Sequence, residues 1–322
     1  MALPEILKNR LQLPLVASPM FIVSGTELVI EQCKAGVVGS FPSLNARGDG
    51  EFEQWLQRIQ AALAEHDASH PEQPAAPYAV NLIVHRTNHR LEEDLAICVK
   101  HKVPIVITSL GAREDVNQAI HSYGGIVLHD IINNEFAQKA VSKGADGIIA
   151  VAAGAGGHAG TLSPIALVQE IRTWFDGPLL LSGCMSTGAG ILSALAMGAD
   201  LAYMGSAFIA TDEANAVSDY KTMITQSGAK DITYTSAFSG VHGNYLIPSI
   251  INAGLDPNNL PEGDPAQLAK MSDTNTEVKA WKTIWGCGQG IGPVTEVVPA
   301  KQRVANLITE FSAAKQALTA KL

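Results

Sequence analysis

The stretch "PLLLSGCMSTGAGILSALAMGADLAYMGSAF", residues 178–208, decides the fold. It opens on an apolar run of strand length, 178–183. Small residues and a helical pattern follow, and a second apolar run closes it at 201–208. Both runs are near-continuous rather than alternating, which is the pattern of strands buried on both faces. Strand, helix and strand in this order describe one parallel β–α–β unit.

Working outward, six more runs precede this unit. They are "LPLVASP" (13–19), "AGVVGSF" (35–41), "YAVNLIV" (78–84), "VPIVITS" (103–109), "GGIVLHD" (124–130) and "ADGIIAVA" (145–152). Helical patterns such as "EFEQWLQRIQAALAEH" and "SPIALVQEIRTWF" lie between them. Eight evenly spaced units, with no G-x-G-x-x-G after the first strand, predict an α/β protein built as a (β/α)8 TIM barrel rather than an open sheet. After Phe208 the rhythm breaks. Residues 211–280 carry helical patterns, "TDEANAVSDYKTMITQSG" and "DPAQLAKMSD", around an irregular stretch. They predict a smaller, mostly helical inserted domain capping the barrel mouth. Residues 1–210 and 281–322 form the barrel, and the last helical pattern, 300–318, returns to its outer ring.

The 322 residues are 47% hydrophobic and 16% charged, and the formal net charge is −9. That balance suits a globular chain with a sizeable core. It speaks against a nucleic-acid surface or a polybasic membrane patch. No apolar run reaches the length of a membrane span, and the N-terminus does not read as a signal peptide. Cys33, Cys98, Cys184 and Cys287 are scattered. No disulfide framework or metal site is expected, and a reducing cytoplasm is the simplest compartment.

In such barrels the chemistry gathers at the C-terminal ends of the strands. There lie Met20 after the first run, Asn81 within the third, and His129 and Asp130 ending the fifth. Ser182, Gly183 and Cys184 end the seventh, and Tyr203, Met204, Gly205 and Ser206 close the eighth. Small residues where helices begin leave backbone N–H groups pointing outward. Found together after the seventh and eighth strands, they read as a phosphate cradle. After the sixth run comes "GAGGHAG", 154–160, in which one imidazole, His158, stands among glycines and alanines. Bare backbone there would let a planar ring lie against Gly156 and Gly157, with His158 beside it.

These stretches together resemble the nitronate monooxygenase family, formerly 2-nitropropane dioxygenases. The resemblance runs from "LVASPMFIVSG" (15–25) through "GADGIIAVAAGAGGHAGTLSP" (144–164) and "LLLSGCMSTGAGILSALAMGADLAYMGSAFIATDE" (179–213) to "WGCGQGIG" (285–292). It implies an FMN-dependent barrel with a helical second domain. NADH:quinone reductases and flavin-dependent enoyl reductases share that scaffold. Carried over by residue, it implies His158 as the active-site histidine, with Met20, Asn81, Gly156 and Gly157 beside the flavin. It places Gly183 and Cys184 on the phosphate, closed round by Tyr203 to Ser206. The implied reaction is oxidation of alkyl nitronates, with nitroalkanes as further substrates, by O2 to a carbonyl compound and nitrite. Alternatives are an NAD(P)H-dependent FMN reductase of quinones or enoyl thioesters, and a barrel that binds a phosphorylated ligand without redox chemistry. A homodimer is compatible with the sequence.

The chain departs from the best-described nitronate oxidisers. Their Q-G-x-E-A-G-G-H pattern is "VAAGAGGH" here, with Val151 for glutamine and Gly154 for glutamate. Cys184 stands for a second glycine. Four positions admit two readings. His242 and Tyr245 either overhang the substrate or lie in a surface loop. Gln289 either approaches the flavin or packs, and His129 either faces the cofactor or is a paired structural histidine. Cys184 reads as a packing residue rather than a nucleophile, and Trp174, Trp281 and Trp285 read as packing.

Overall fold

A computed structural model describes residues 3–264 and 283–321. The eight apolar runs form eight parallel strands: β1 (Leu15–Ala17), β2 (Gly39–Pro42), β3 (Tyr78–Ile83), β4 (Ile105–Ser109), β5 (Ile126–Ile131), β6 (Gly147–Val151), β8 (Leu179–Ser182) and β9 (Leu201–Met204). They pair in the order β1-β9-β8-β6-β5-β4-β3-β2. A bridge between Val16 and Val38 joins the two ends, with Ala17 N donating to the Val38 carbonyl at 2.8 Å. The sheet is a closed barrel, as the repeat predicts.

Every residue of β4 is buried, because each strand faces two cores. Val16, Ala79, Ile107, Leu128, Ile149 and Leu180 fill the barrel interior. The opposite faces pack on the ring of helices α1 (Thr26–Lys34), α2 (Glu51–Ser69), α3 (Leu91–Lys100), α4 (Glu114–His121), α5 (Asn134–Ser142), α6 (Pro164–Arg172) and α7 (Gly188–Met197). Two-sided burial removes any need for alternation, so continuous Val, Ile and Leu runs are what this sheet requires.

The strand ends then continue into α8 (Ser206–Ile209) and α9 (Ser218–Gln226). Next come β10 (Ile232–Thr235), β11 (Gly243–Leu246) and α10 (Ile247–Asn252). The inserted segment is thus not helical throughout. β10 and β11 are antiparallel and take β7 (Gly157–His158) as a third strand, with Gly243 opposite His158. Strands of four residues carry too little periodicity to be read from sequence. The helical pattern expected over 265–273 lies outside the described residues, as does Trp281.

The last helix, α11 (Ala300–Thr319), does return to the ring, against α7. Gly188 opens α7 so close to it that a Cβ there would sit 2.1 Å from Phe311 N. Among the described residues no helix is long and apolar enough to cross a membrane.

Candidate active site

A cavity of about 940 Å³ opens at the C-terminal ends of the parallel strands. That lies at the upper end of small-molecule sites, roughly 300–1,000 Å³. Met20, Asn81, His129, Gly156, Gly157 and His158 line it, as do Ser182, Tyr203, Gly205 and Ser206. Barrel topology brings these together from across the chain, since parallel strands all end on one face. Gly183, Cys184, Met204, Gln289, His242 and Tyr245 are not among the lining residues.

Five of those six have other surroundings. Met204 is buried in the core beneath the strand end. Tyr245 is fully buried, its ring edge-on to Phe238 at 5.0 Å. His242 stacks on Tyr234 at 5.1 Å on the outside of the hairpin. Cys184 and Gln289 lie behind the glycine loop, where Cys184 Sγ contacts the Ala153 carbonyl at 3.5 Å and Gln289 Oε1 at 3.9 Å.

The phosphate cradle expected from small residues needs one revision. The amides opening α7 are already engaged. Gly188 N donates to Glu310 Oε2 at 2.7 Å, and Gly190 N donates to the capping Thr187 hydroxyl at 3.1 Å. An acidic group at a helix N-terminus is electrostatically favourable, so Glu310 takes the place an anion would. The amides of Gly183, Cys184 and Gly205, by contrast, donate to no acceptor among the described residues. They form the better anion-facing set, two from the loop after β8 and one from the loop after β9.

The glycine loop also sorts itself. A Cβ on Gly156 would lie 2.8 Å from Gly288 N and 3.0 Å from Ser206 Oγ, so this glycine admits the returning segment. Gly288 N donates to Ser206 Oγ at 2.8 Å and fastens that segment down. Gly154, at φ +79°, leaves room for Cys184: a Cβ there would sit 2.2 Å from Cys184 Sγ. The departures at 154 and 184 are therefore one packing arrangement. Gly157, at φ +69°, would meet nothing within 4 Å. It is the bare backbone that faces open space.

His158 sits where β7 meets the hairpin. Its Nε2 lies 2.9 Å from Ser239 Oγ. Ser239 Oγ also lies 2.9 Å from the Val241 carbonyl, which can only accept. The serine hydrogen therefore goes to Val241, and His158 donates from Nε2. A neutral imidazole in this tautomer carries its lone pair on Nδ1. Burial pushes the His158 pKa down to about 4, which favours the neutral ring at ordinary pH.

Across the barrel a polar row spans three strands. Asn81 Nδ2 donates to Ser109 Oγ at 2.7 Å and to the Ile107 carbonyl at 3.0 Å. Ser109 Oγ donates to Asp130 Oδ2 at 2.5 Å. Burial raises the Asp130 carboxyl to about 6, against the opposing pull of the Ser109 hydrogen bond. His129 does two things at once: it lines the cavity and pairs through Nδ1 with Thr108 Oγ1 at 2.6 Å. Burial lowers its pKa to about 4. Burial, with the Asp130 charge beside it, raises the Tyr203 phenol well above its usual range. Ser109 and Asp130 line the cavity yet carry no local signature, because the row is made by residues some 20–50 positions apart.

The upper wall is apolar. Tyr220 and Trp285 stack at 4.9 Å and both line it. Trp285 is thus a wall residue as well as a packing one, whereas Trp174 packs beside Phe175 and donates to Asn134 Oδ1 at 2.7 Å. Ile132, Phe136 and Val217, which also line the cavity, are 41%, 46% and 60% exposed. Among the described residues no group of three or more His, Cys, Asp or Glu could hold a metal ion.

Comparison with known proteins bears on the family and the fold. A model of the nitronate monooxygenase family matches residues 5–310. A nitronate monooxygenase of Paraburkholderia phytofirmans is 26% identical, with 92% of each chain covered. A hydroxy-methyl-oxo-octahydroindene-carboxyl-CoA dehydrogenase of Rhodococcus jostii is 24% identical over 75% of this chain and 65% of its own length. Among solved structures, nitroalkane oxidase from Streptomyces ansochromogenes superposes with a TM-score of 0.79 at 23% identity, covering 98% of this chain and all of its own. FabK from Thermotoga maritima gives 0.77 at 19% identity, covering 99% and 98%. At those identities the two structures speak for the fold.

Proposed function

The chain belongs to the nitronate monooxygenase family, and from that premise we propose that it is an FMN-dependent oxidoreductase converting nitroalkanes and their nitronates, with O2, to carbonyl compounds and nitrite. One observation carries the reading: His158, neutral at ordinary pH, stands on the wall of a large cavity beside the left-handed, open backbone of Gly157. A cavity of about 940 Å³ at the strand ends supports FMN as its occupant. The unengaged amides of Gly183, Cys184 and Gly205 would hold its phosphate, while Gly157 and Asn81 would border the ring. FMN would carry electrons from the nitronate to O2.

The rest is the work of the protein. A neutral His158 can receive the α-proton of a nitroalkane at Nδ1. Ser239 holds the ring through Nε2 and fixes the tautomer. Held neutral by burial, the ring has a lone pair to accept a proton and no charge with which to anchor an anion. Tyr220 and Trp285 shield the upper wall from water.

A second reading is an NAD(P)H-dependent reductase of quinones or enoyl thioesters. The exposed apolar mouth at Ile132, Phe136 and Val217 favours it, because a small nitroalkane needs no such surface. Anaerobic absorbance spectra separate the readings. Bleaching of the flavin bands by propyl-2-nitronate but not by NADH is the expected result. Rapid bleaching by NADH alone would make the protein a reductase. No flavin bands, even after FMN is added, would leave a phosphate-binding barrel and end both.

A further inference from the structure

Ile22, in the loop between β1 and α1, lines the cavity with a left-handed backbone at φ +66°. That conformation crowds a β-branched side chain and is an outlier for one. It persists only where neighbouring groups over-determine it. The neighbour here is Asn45, in the short 3-10 helix Ser43–Asn45 that follows β2. Ile22 N donates to Asn45 Oδ1 at 2.9 Å. Asn45 Nδ2 donates to the Met20 carbonyl at 3.0 Å and to the Ser24 carbonyl at 2.8 Å. Carbonyls only accept and a main-chain N–H only donates, so the carboxamide has one orientation that satisfies all three.

The loop closes on itself as well. Ser24 N donates to the Met20 carbonyl at 3.0 Å, and Met20 N donates to Ser24 Oγ at 3.0 Å. From the inserted segment, Asn215 Nδ2 donates to the Ile22 carbonyl at 3.0 Å. Met20 and Ile22 line the cavity, whereas Asn45 does not. Met20 also lies against Gly205, where a Cβ would sit 3.5 Å from Met20 Cγ and Sδ. Asn45 therefore reaches the cavity only through the loop it holds.

We propose that Asn45 is a positioning residue: from behind the cavity wall it holds Ile22 left-handed and keeps Met20 in place beside Gly205. The inference rests on the reading of this cavity as an FMN site. Without Asn45, Ile22 returns to an ordinary backbone, the turn from Met20 to Ser24 opens, and that side of the wall withdraws from the cofactor.

Two measurements on the full chain freed of flavin test this without turnover. One is FMN affinity, titrated by quenching of FMN fluorescence. The other is exchange of the Ser24 amide, followed by hydrogen–deuterium exchange mass spectrometry. Asn45→Ala should weaken FMN and speed Ser24 exchange by about ten-fold each, the size of the left-handed cost it no longer opposes. Adding Ile22→Gly should restore most of both, because glycine takes this backbone conformation without that cost. An asparagine serving only general stability would not be rescued in this way, since glycine loosens a loop that makes no left-handed demand. Asn45→Asp keeps the acceptor for Ile22 N but loses both donors, and it carries the same test if Asn45→Ala does not fold.

Wild-type FMN affinity and Ser24 exchange in the Asn45 variant overturn the proposal. So does a double variant in which Ile22→Gly deepens the loss. A wild-type protein that binds no FMN, but whose Ser24 amide follows the expected pattern, would refute the cofactor reading and leave the clamp on Met20 and Ile22 standing.

Discussion

At the β8/β9 end the groups left for a ligand are main-chain amides, those of Gly183, Cys184 and Gly205, which donate to no acceptor among the described residues. Across the barrel, at β3 to β5, they are side chains: Asn81, Ser109, His129 and Asp130. The first end depends on where the backbone runs. It tolerates Cys184 in a glycine's place because the thiol turns behind the loop, toward the space Gly154 leaves open. The second end depends on which atoms hold protons, so one substitution there changes its chemistry. If the first end holds a cofactor's phosphate, as proposed, the fold can keep that cradle while its reaction drifts, since the two are built from different parts of the residue.

The sharpest way to break this contrast is at His158. His158→Asn should lower nitrite release from a nitroalkane by about 10²–10⁴-fold, the range expected for loss of a general base. Bound flavin and turnover of preformed nitronate should be far less affected. If nitroalkane turnover survives intact, the base is elsewhere. The backbone end breaks differently. Gly156→Val drives a side chain into Gly288 N and Ser206 Oγ, and overpacking of this kind costs about 1–3 kcal/mol. Flavin retained after gel filtration should fall about ten-fold, whichever substrate is used. Flavin retention equal to wild type would show that the returning segment is no part of the cradle.

The smallest effect is a coupling. Gly154→Ala places a methyl 2.2 Å from Cys184 Sγ at a left-handed φ. Alone it should cost about 2 kcal/mol of stability, and adding Cys184→Gly should restore about 1 kcal/mol. The left-handed cost to alanine, about 1 kcal/mol, remains. Denaturant titration of the two single variants and the double variant closes the cycle. Strict additivity would mean that the two departures are unrelated.

Much of the barrel is legible before any coordinates. Residues 178–208 become β8, α7 and β9, and each of the other apolar runs becomes a strand, because two-sided burial writes itself into continuous apolar sequence. The glycine loop and His158 are legible for a related reason: unusual local composition marks a local geometric demand. What sequence does not show is made at a distance. Glu310 reaches an amide 122 positions away, and no local pattern announces it. Asn81, Ser109 and Asp130 meet only because three parallel strands end together. Gly156 lines the cavity and at the same time makes room for protein, as Gly154 does for Cys184, and no local pattern announces that second demand. The hairpin of β10 and β11 is missed because its strands are too short to show a period.

His158 belongs to the barrel by sequence, but its backbone pairs with Gly243 and its ring is held by Ser239, both in the inserted segment. The imidazole is therefore mounted on a part that can be exchanged. Grafting a relative's hairpin onto this barrel would re-aim or re-tune the base while the amides of Gly183, Cys184 and Gly205 stayed in place. On the proposed reading, a lineage built this way can acquire new reactions by exchanging the hairpin, provided the buried face of β11 still fits the barrel beneath it.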